Sequence, residues 1–258
     1  MWPYPTIIAH RGAGILAPEN TLAAMRCGQA RGYRGVEFDV MLSQDGVPIL
    51  MHDPHLGRTV AGVGSIAEHS ADRLMQMDAG SWFGTAFAGE PVPTLAQVID
   101  FCRGHDVWMN VEIKPVPGVE TVTGTAVARM THDLFSDSRT GTSGVAGLLP
   151  VLSSFSIDAL LAAKSAAPDL PRGLLVDRLP LDWREQLTLT GAASLHLNQR
   201  FLTAEAARDI KAAGYGLFCY TVNTPARAAE ILGWGVDAFC TDRLDLIGPD
   251  FPGGMPTR

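Results

Sequence analysis

Short apolar runs alternate along the chain with longer stretches whose apolar positions recur every three or four residues. This alternation of strand and helix signals predicts βα units around a parallel sheet. The strand candidates fall at 6–9, 35–40, 107–113, 150–154, 173–176, 194–197, 216–221 and 236–240, eight in all. Helix boundaries carry their own signals: Thr224 offers an N-cap followed by Pro225 at the first helical position, Gly235 closes that segment, and Ser156 and Thr203 are further N-caps. Eight such units in 258 residues fit an α/β fold of the TIM (β/α)8 barrel type, read as one domain over 1–258.

A ninth apolar run, 47–51, follows the second strand too soon for a parallel crossover and must return antiparallel, as a hairpin. A two-residue turn at Asp45-Gly46 would set Asp39 opposite His52 in the ladder, placing a carboxylate beside an imidazole. Residues 53–93, rich in Gly, Asp, Ser and aromatics, are too long for an ordinary βα loop. They read as an insertion over the barrel mouth with little strand structure, and 94–104 reads as the helix leading back to the barrel.

Composition narrows the partners. A net charge of -7, from 20 Lys+Arg against 27 Asp+Glu, argues against a general nucleic-acid binder but leaves room for a small anion where basic residues converge. The first residues lack a basic region ahead of their apolar stretch, and no run approaches the ~18 apolar residues of a membrane span. The expectation is a soluble protein without stable membrane insertion. Cys27, Cys102, Cys219 and Cys240 are widely spaced in apolar surroundings, which reads as reduced thiols in a cytoplasmic protein. Nothing in the sequence speaks to oligomeric state.

The candidate chemistry sits at strand ends. Glu37-Phe38-Asp39 puts two carboxylates on one strand face and Phe38 on the other. In Asn110-Val111-Glu112-Ile113-Lys114-Pro115, Glu112 and Lys114 share a face where a proline stops the strand. The C-terminal strand ends of such a barrel form its mouth, where Glu37, Asp39 and Glu112 can meet, and three convergent carboxylates demand a cation. Oxygen-only ligation favours Mg²⁺, Mn²⁺ or Ca²⁺ over zinc. For Glu-x-Asp taken alone, strand-end charges paired with Arg or Lys are the competing reading.

His10-Arg11-Gly12 ends the first strand, and His52-Asp53 ends the return strand of the hairpin. Imidazoles at these positions suit the two proton exchanges of phosphodiester cleavage, and Arg11 and Lys114 suit the phosphate charge. Taken singly, either histidine is more often a structural hydrogen-bonding residue. His55, His69, His105, His132 and His196 read as structural too, with His196 on a barrel strand from which it can face the mouth. In Pro18-Glu19-Asn20-Thr21, Asn20 or Thr21 is an N-cap candidate, and Glu19 either favours the helix N-terminus or holds Arg11 or His10 from behind.

The ordered set His10-Arg11-Gly12, Pro18-Glu19-Asn20-Thr21, Val36-Glu37-Phe38-Asp39, Met51-His52-Asp53 with Arg58-Thr59, Val111-Glu112-Ile113-Lys114-Pro115, Tyr220-Thr221-Val222-Asn223 and Gly235-Val236-Asp237 to Thr241-Asp242 strongly resembles the glycerophosphodiester phosphodiesterase family. Within that family the chain is most similar to cytosolic bacterial members linked to glycerol 3-phosphate uptake. The match spans nearly the whole chain, and Asp78 to Phe83 with Pro93-Thr94-Leu95 looks like the family's insertion. Leu244 departs from the pattern, since many relatives carry proline after Thr-Asp-Arg.

The resemblance implies metal binding by Glu37, Asp39 and Glu112, acid-base roles for His10 and His52, and phosphate contact by Arg11 and Lys114. It implies one divalent cation, Mg²⁺ before Ca²⁺ or Mn²⁺, and a small glycerophosphodiester substrate cleaved to sn-glycerol 3-phosphate and an alcohol. Attack by the glycerol 2-hydroxyl to give a cyclic phosphate is the expected route. Trp82, Phe83, Phe155 and Tyr220 are candidates for a substrate wall. The rival readings are a barrel phospholipase on intact lipids, a non-catalytic phosphate-ester binding protein, and a glycosidase, which would leave both histidines, Arg11 and Lys114 unexplained.

Overall fold

A computed structural model describes residues 2–136 and 144–251, so both ends of the 1–258 span and residues 137–143 lie outside the described residues. Nine strands are found among them: β1 (Ile7–Ala9), β2 (Gly35–Leu42), β3 (Pro48–Leu50), β4 (Trp108–Ile113), β5 (Val151–Ser154), β6 (Arg172–Val176), β7 (Ser194–Asn198), β8 (Gly216–Tyr220) and β9 (Ala238–Thr241). Eight of them pair in parallel and close on themselves through β1–β2 and β1–β9. This is a TIM barrel, with helices α1 (Leu22–Ala30), α2 (Ala71–Leu74), α3 (Leu95–Gly104), α4 (Glu120–Ser136), α5 (Ile157–Ala166), α6 (Trp183–Thr190), α7 (Ala204–Ala212) and α8 (Pro225–Gly233). The caps expected at Ser156, Thr203 and Thr224 each accept from a backbone N–H in the first turn. Thr94 caps α3 through a reciprocal box with Gln97.

Strand alternation divides the buried residues into two sets. Val36, Phe38, Val40, Met109, Val111, Leu152 and Leu174 face outward and pack beneath the helices. Ile8, Trp108, Val151, Phe218, Ala238 and Cys240 form a separate apolar floor, against which Trp2 and Tyr4 pack. Above the floor the interior turns polar. His196 stacks on Phe218 at 4.6 Å and shares a 3.0 Å hydrogen bond with Ser194. It is fully buried inside the barrel, not at the mouth, and burial drives its pKa down to about 3. A Cβ on Gly173 would stand 2.3 Å from His196 Nε2, so only glycine leaves the imidazole room.

β3 returns antiparallel to β2, as the short connection requires, but in a different register from the one expected. Val40 pairs with Leu50 and Met41 with Ile49, and the Met51 N–H donates to the Asp39 carbonyl at 3.2 Å. Asp39 is therefore opposite Met51, not His52. The turn holds three residues: Ser43 N–H donates to Val47 O, Gly46 N–H donates to Ser43 O, and Gly46 sits at φ 77°, the left-handed position that closes such loops. Met41, Ile49 and Met51 carry the face of the hairpin upward into a second apolar cluster with Leu56, Val60, Ile66 and Leu74. Residues 53–93 are built on that cluster with short helical turns and isolated bridges rather than strands.

Phe38 is fully buried between the two inward carboxylates of β2 and anchors the strand from outside. Phe38→Ala is expected to cost about 3–5 kcal/mol of unfolding free energy, measured by urea denaturation. A loss below about 1 kcal/mol would mean that β2 is held chiefly from its inner face.

Candidate active site

The parallel register of β2 and β4 sets Glu37 beside Asn110 and Asp39 beside Glu112, all on inward-facing positions near the C-terminal rim. One carboxylate oxygen from each of Glu37, Asp39 and Glu112 lies within 4.8 Å of the others. Asp39 is the best compensated. Asn20 Nδ2 donates to it at 2.8 Å, Lys114 Nζ at 3.1 Å, and Arg11 Nε lies 3.4 Å away. Burial pushes its pKa up, but Lys114, Arg11, His52 and Asn20 overcome that and bring it down to about 2.

The two glutamates are held less well. Glu37 accepts the Arg11 backbone N–H at 3.2 Å, and burial raises its pKa to about 7 despite His10 nearby. Glu112 has Lys114 only at 4.0 Å, and burial together with the Asp39 charge raises it well above the usual range. Three converging carboxylates, two of them short of positive partners, make a donor set that suits a hard divalent cation.

Both candidate histidines approach this cluster, and each is gripped from behind by an aspartate. His10 Nδ1 lies 2.5 Å from Asp242, leaving Nε2 3.7 Å from Glu37. His52 Nδ1 lies 2.6 Å from Asp53. An ionised aspartate accepts, so Nδ1 carries the proton in each ring and Nε2 is the nitrogen left outside that bond. Burial lowers the His10 pKa, but Asp242 and Glu37 outweigh it and the net shift is upward. For His52, burial prevails over Asp39 and the net shift is downward.

Behind the rings lies a second layer of ion pairs. Glu19 receives Arg11 Nη1 at 2.7 Å and Arg58 through two bonds of 2.7 and 2.8 Å, while Arg58 Nε donates to Asp53 at 2.5 Å. Glu19 thus holds Arg11, Thr21 is the cap of α1, and Asn20 is spent on Asp39. Arg11 (φ 50°) and Asn20 (φ 58°) both occupy left-handed backbone, a strain of the kind found at functional sites. A Cβ on Gly14 (φ +55°) would stand 2.2 Å from the Asp242 carbonyl, so glycine is required where the first loop touches the last strand.

The proposed wall divides. Phe155 and Tyr220 meet edge to face at 5.8 Å, and Phe155 borders a cavity of about 330 Å³ with Glu112 and Lys114. Trp82 and Phe83 meet edge to face at 5.6 Å, and Phe83 meets Phe87 at 5.4 Å, inside a loop tied by Asp78 and fastened to α1 through Glu90 and Arg26. Asp53, Asp242, Asn223 and Arg58 stand in the quoted motifs but received no individual role from sequence. Asp53 had a signal, adjacency to His52; Asp242 had none, because 232 positions separate it from His10. Asn223 orients it, donating to Asp242 at 2.9 Å and accepting its backbone N–H at 2.8 Å.

The glycerophosphoryl diester phosphodiesterase family model matches residues 10–246. The chain is 32% identical over 246 residues to a glycerophosphodiester phosphodiesterase of Caldanaerobacter subterraneus, covering 93% of this chain and 95% of that one. Among solved structures, it is similar to an Oleispira antarctica phosphodiesterase in complex with the product sn-glycerol-3-phosphate, at 37% identity and a TM-score of 0.84, covering 93% of each chain. A glycerophosphodiester phosphodiesterase from Agrobacterium tumefaciens matches at 26% identity and a TM-score of 0.74, covering 96% of this chain and 98% of that one.

Glu37 and Glu112 favour the proton-bound form in the fold at pH values where an unfolded glutamate, with pKa about 4.3, is ionised. Their stabilising contribution is complete below that value and is lost as pH rises, for Glu37 through about 7. His10, raised for a different reason, acts in the same direction. The chelator-treated protein is therefore expected to lose thermal stability between about pH 5 and pH 8, and added Mg²⁺ to raise Tm more at pH 8 than at pH 6. Equal Mg²⁺ stabilisation at both values would show that the glutamates do not gate cation binding.

Proposed function

The chain belongs to the glycerophosphoryl diester phosphodiesterase family, and from that premise we propose that it hydrolyses small glycerophosphodiesters to sn-glycerol 3-phosphate and an alcohol through cation-assisted histidine catalysis. The observation that carries this reading is the set of three buried carboxylates approached by two histidines, each with Nδ1 held by its own aspartate. The similar Oleispira antarctica enzyme was solved with sn-glycerol-3-phosphate, which supports the product assignment.

Glu37, Asp39 and Glu112 would hold one divalent ion, Mg²⁺ in this proposal, with Mn²⁺ and Ca²⁺ as the competing fits to the same oxygen donors. Such an ion, when bound, polarises phosphoryl oxygens and acidifies a coordinated hydroxyl or water. Arg11 and Lys114 bind the phosphate, for which each exchanges part of its present pairing with Glu19 or Asp39. One imidazole Nε2 takes the proton of the glycerol 2-hydroxyl as its oxygen bonds to phosphorus. The other gives a proton to the departing alcohol oxygen as that P–O bond breaks. Water then opens the resulting cyclic phosphate with the proton roles reversed, leaving the phosphate on the 3-position.

Phe155 and Tyr220 wall the glycerol end in this scheme, with Trp82 and Phe83 on the insertion as the further wall candidates. The working unit is a single barrel domain with 53–93 as its insertion. Among the described residues no helix is long and apolar enough to cross a membrane, and the four cysteines are free; a cytoplasmic setting is part of the proposal.

Release of sn-glycerol 3-phosphate from glycerophosphocholine by chelator-treated protein, before and after separate addition of Mg²⁺, Mn²⁺ or Ca²⁺, tests the reading. Activity should return with a divalent ion and be largest with Mg²⁺. His10→Ala and His52→Ala should each lower turnover by about 10²-fold or more with cation binding retained. Near-normal turnover in either variant, or folded protein that no cation reactivates, would overturn the scheme.

A further inference from the structure

Arg58 takes no part in the chemistry above, yet it touches both halves of the machinery. It lies in a tight turn, where Gly57 N–H donates to Val60 O at 2.8 Å, and the turn is pinned by Leu56 and Val60 in the apolar cluster of the insertion. Its guanidinium spans two carboxylates. Nη1 and Nη2 engage both oxygens of Glu19, and Nε engages Asp53 Oδ2. The remaining contacts of those carboxylates lead to Arg11 Nη1 and to His52 Nδ1.

We propose that Arg58 is a positioning residue through which the insertion sets the phosphate-binding Arg11 and the proton-transferring His52 in register with one another, a role that rests on the catalytic reading above. Two effects follow from the geometry. By engaging both oxygens of Glu19, Arg58 weakens that carboxylate's hold on Arg11 and leaves the Arg11 fork available to phosphate. By fixing Asp53 Oδ2, it directs Oδ1 at His52 Nδ1 and so locks the tautomer and tilt of the ring.

Stability alone is a poor explanation for the arrangement. The Arg58 side chain is 45% exposed, and ion pairs at such positions contribute little to folding. A fork bridging three carboxylate oxygens constrains orientation instead, and lysine, a single ammonium on a flexible stem, cannot reproduce it.

The experiment compares Arg58→Ala, Arg58→Lys, Glu19→Gln and the Arg58→Ala/Glu19→Gln double variant by steady-state kinetics on glycerophosphocholine and by NMR of the imidazole protons in ¹⁵N-histidine-labelled protein. Arg58→Ala should raise KM about tenfold, as Glu19 draws Arg11 away, and lower kcat about tenfold, as His52 loosens. The double variant should recover KM but not kcat, because the competing charge is gone while Asp53 is still free. Arg58→Lys should fall between wild type and Arg58→Ala, and it carries the test if the alanine variant does not fold. The His52 Nδ1 proton should shift or broaden while that of His10, held by Asp242, stays in place. Unchanged kinetics with an unchanged His52 signal, or equal loss of both histidine signals together with the melting transition, would overturn the proposal. If the wild-type protein proved inactive on glycerophosphodiesters, the catalytic reading would fall, and the NMR comparison would still decide whether Arg58 holds His52.

Discussion

Three carboxylates buried within 4.8 Å of one another are the constraint on which the mouth of this barrel depends. Left alone, such a cluster would repel itself or take up protons. Around it stand Arg11, Lys114 and Asn20, aimed mostly at Asp39, while Glu37 and Glu112 are left short of positive charge. The imbalance is chemically useful. A site fully neutralised by its own side chains would have little attraction for a cation, and one with no neutralisation would be hard to fold. The backbone shares the cost, since Arg11 and Asn20 both adopt left-handed conformations to bring their side chains into place.

The two histidines show the same logic applied twice by different means. His52 obtains its aspartate from the next residue, and that pairing is steadied by Arg58 from the insertion. His10 obtains its aspartate from the opposite end of the chain, and that pairing is steadied by Asn223 in the preceding βα loop. Each ring is therefore oriented by a carboxylate that is itself oriented. The surroundings then separate their proton affinities, upward for His10, where Asp242 and Glu37 outweigh burial, and downward for His52, where burial prevails.

Much of this was legible in the sequence because it rests on periodicity. Each of the eight barrel strands lies within two residues of its expected bounds, and the inward-facing carboxylates follow from the two-residue repeat of Glu37-Phe38-Asp39. What escaped was set by geometry that no short window contains. The hairpin register turned on whether the loop held two residues or three, and the hydrogen bonds of Ser43 with Val47 and Asp45 decide that. The packing of Trp82 on Phe83 lies outside any periodic pattern as well, because Asp78 and Glu90 tie their loop to itself and to α1. His196 lay on a barrel strand as expected; its depth depends on Gly173 in the neighbouring strand, where a missing side chain makes the space.

The pairing of His10 with Asp242 also ties the site to closure of the barrel. His10 follows the first barrel strand and Asp242 the last, 232 positions away in sequence. Until β9 docks between β8 and β1 there is no closed barrel, and the first imidazole has no partner to orient it. A barrel still open between β8 and β1 thus lacks the carboxylate that orients His10, however well its other βα units have formed. The docking of β9 that removes the last open edges of the sheet also sets one of the two imidazoles.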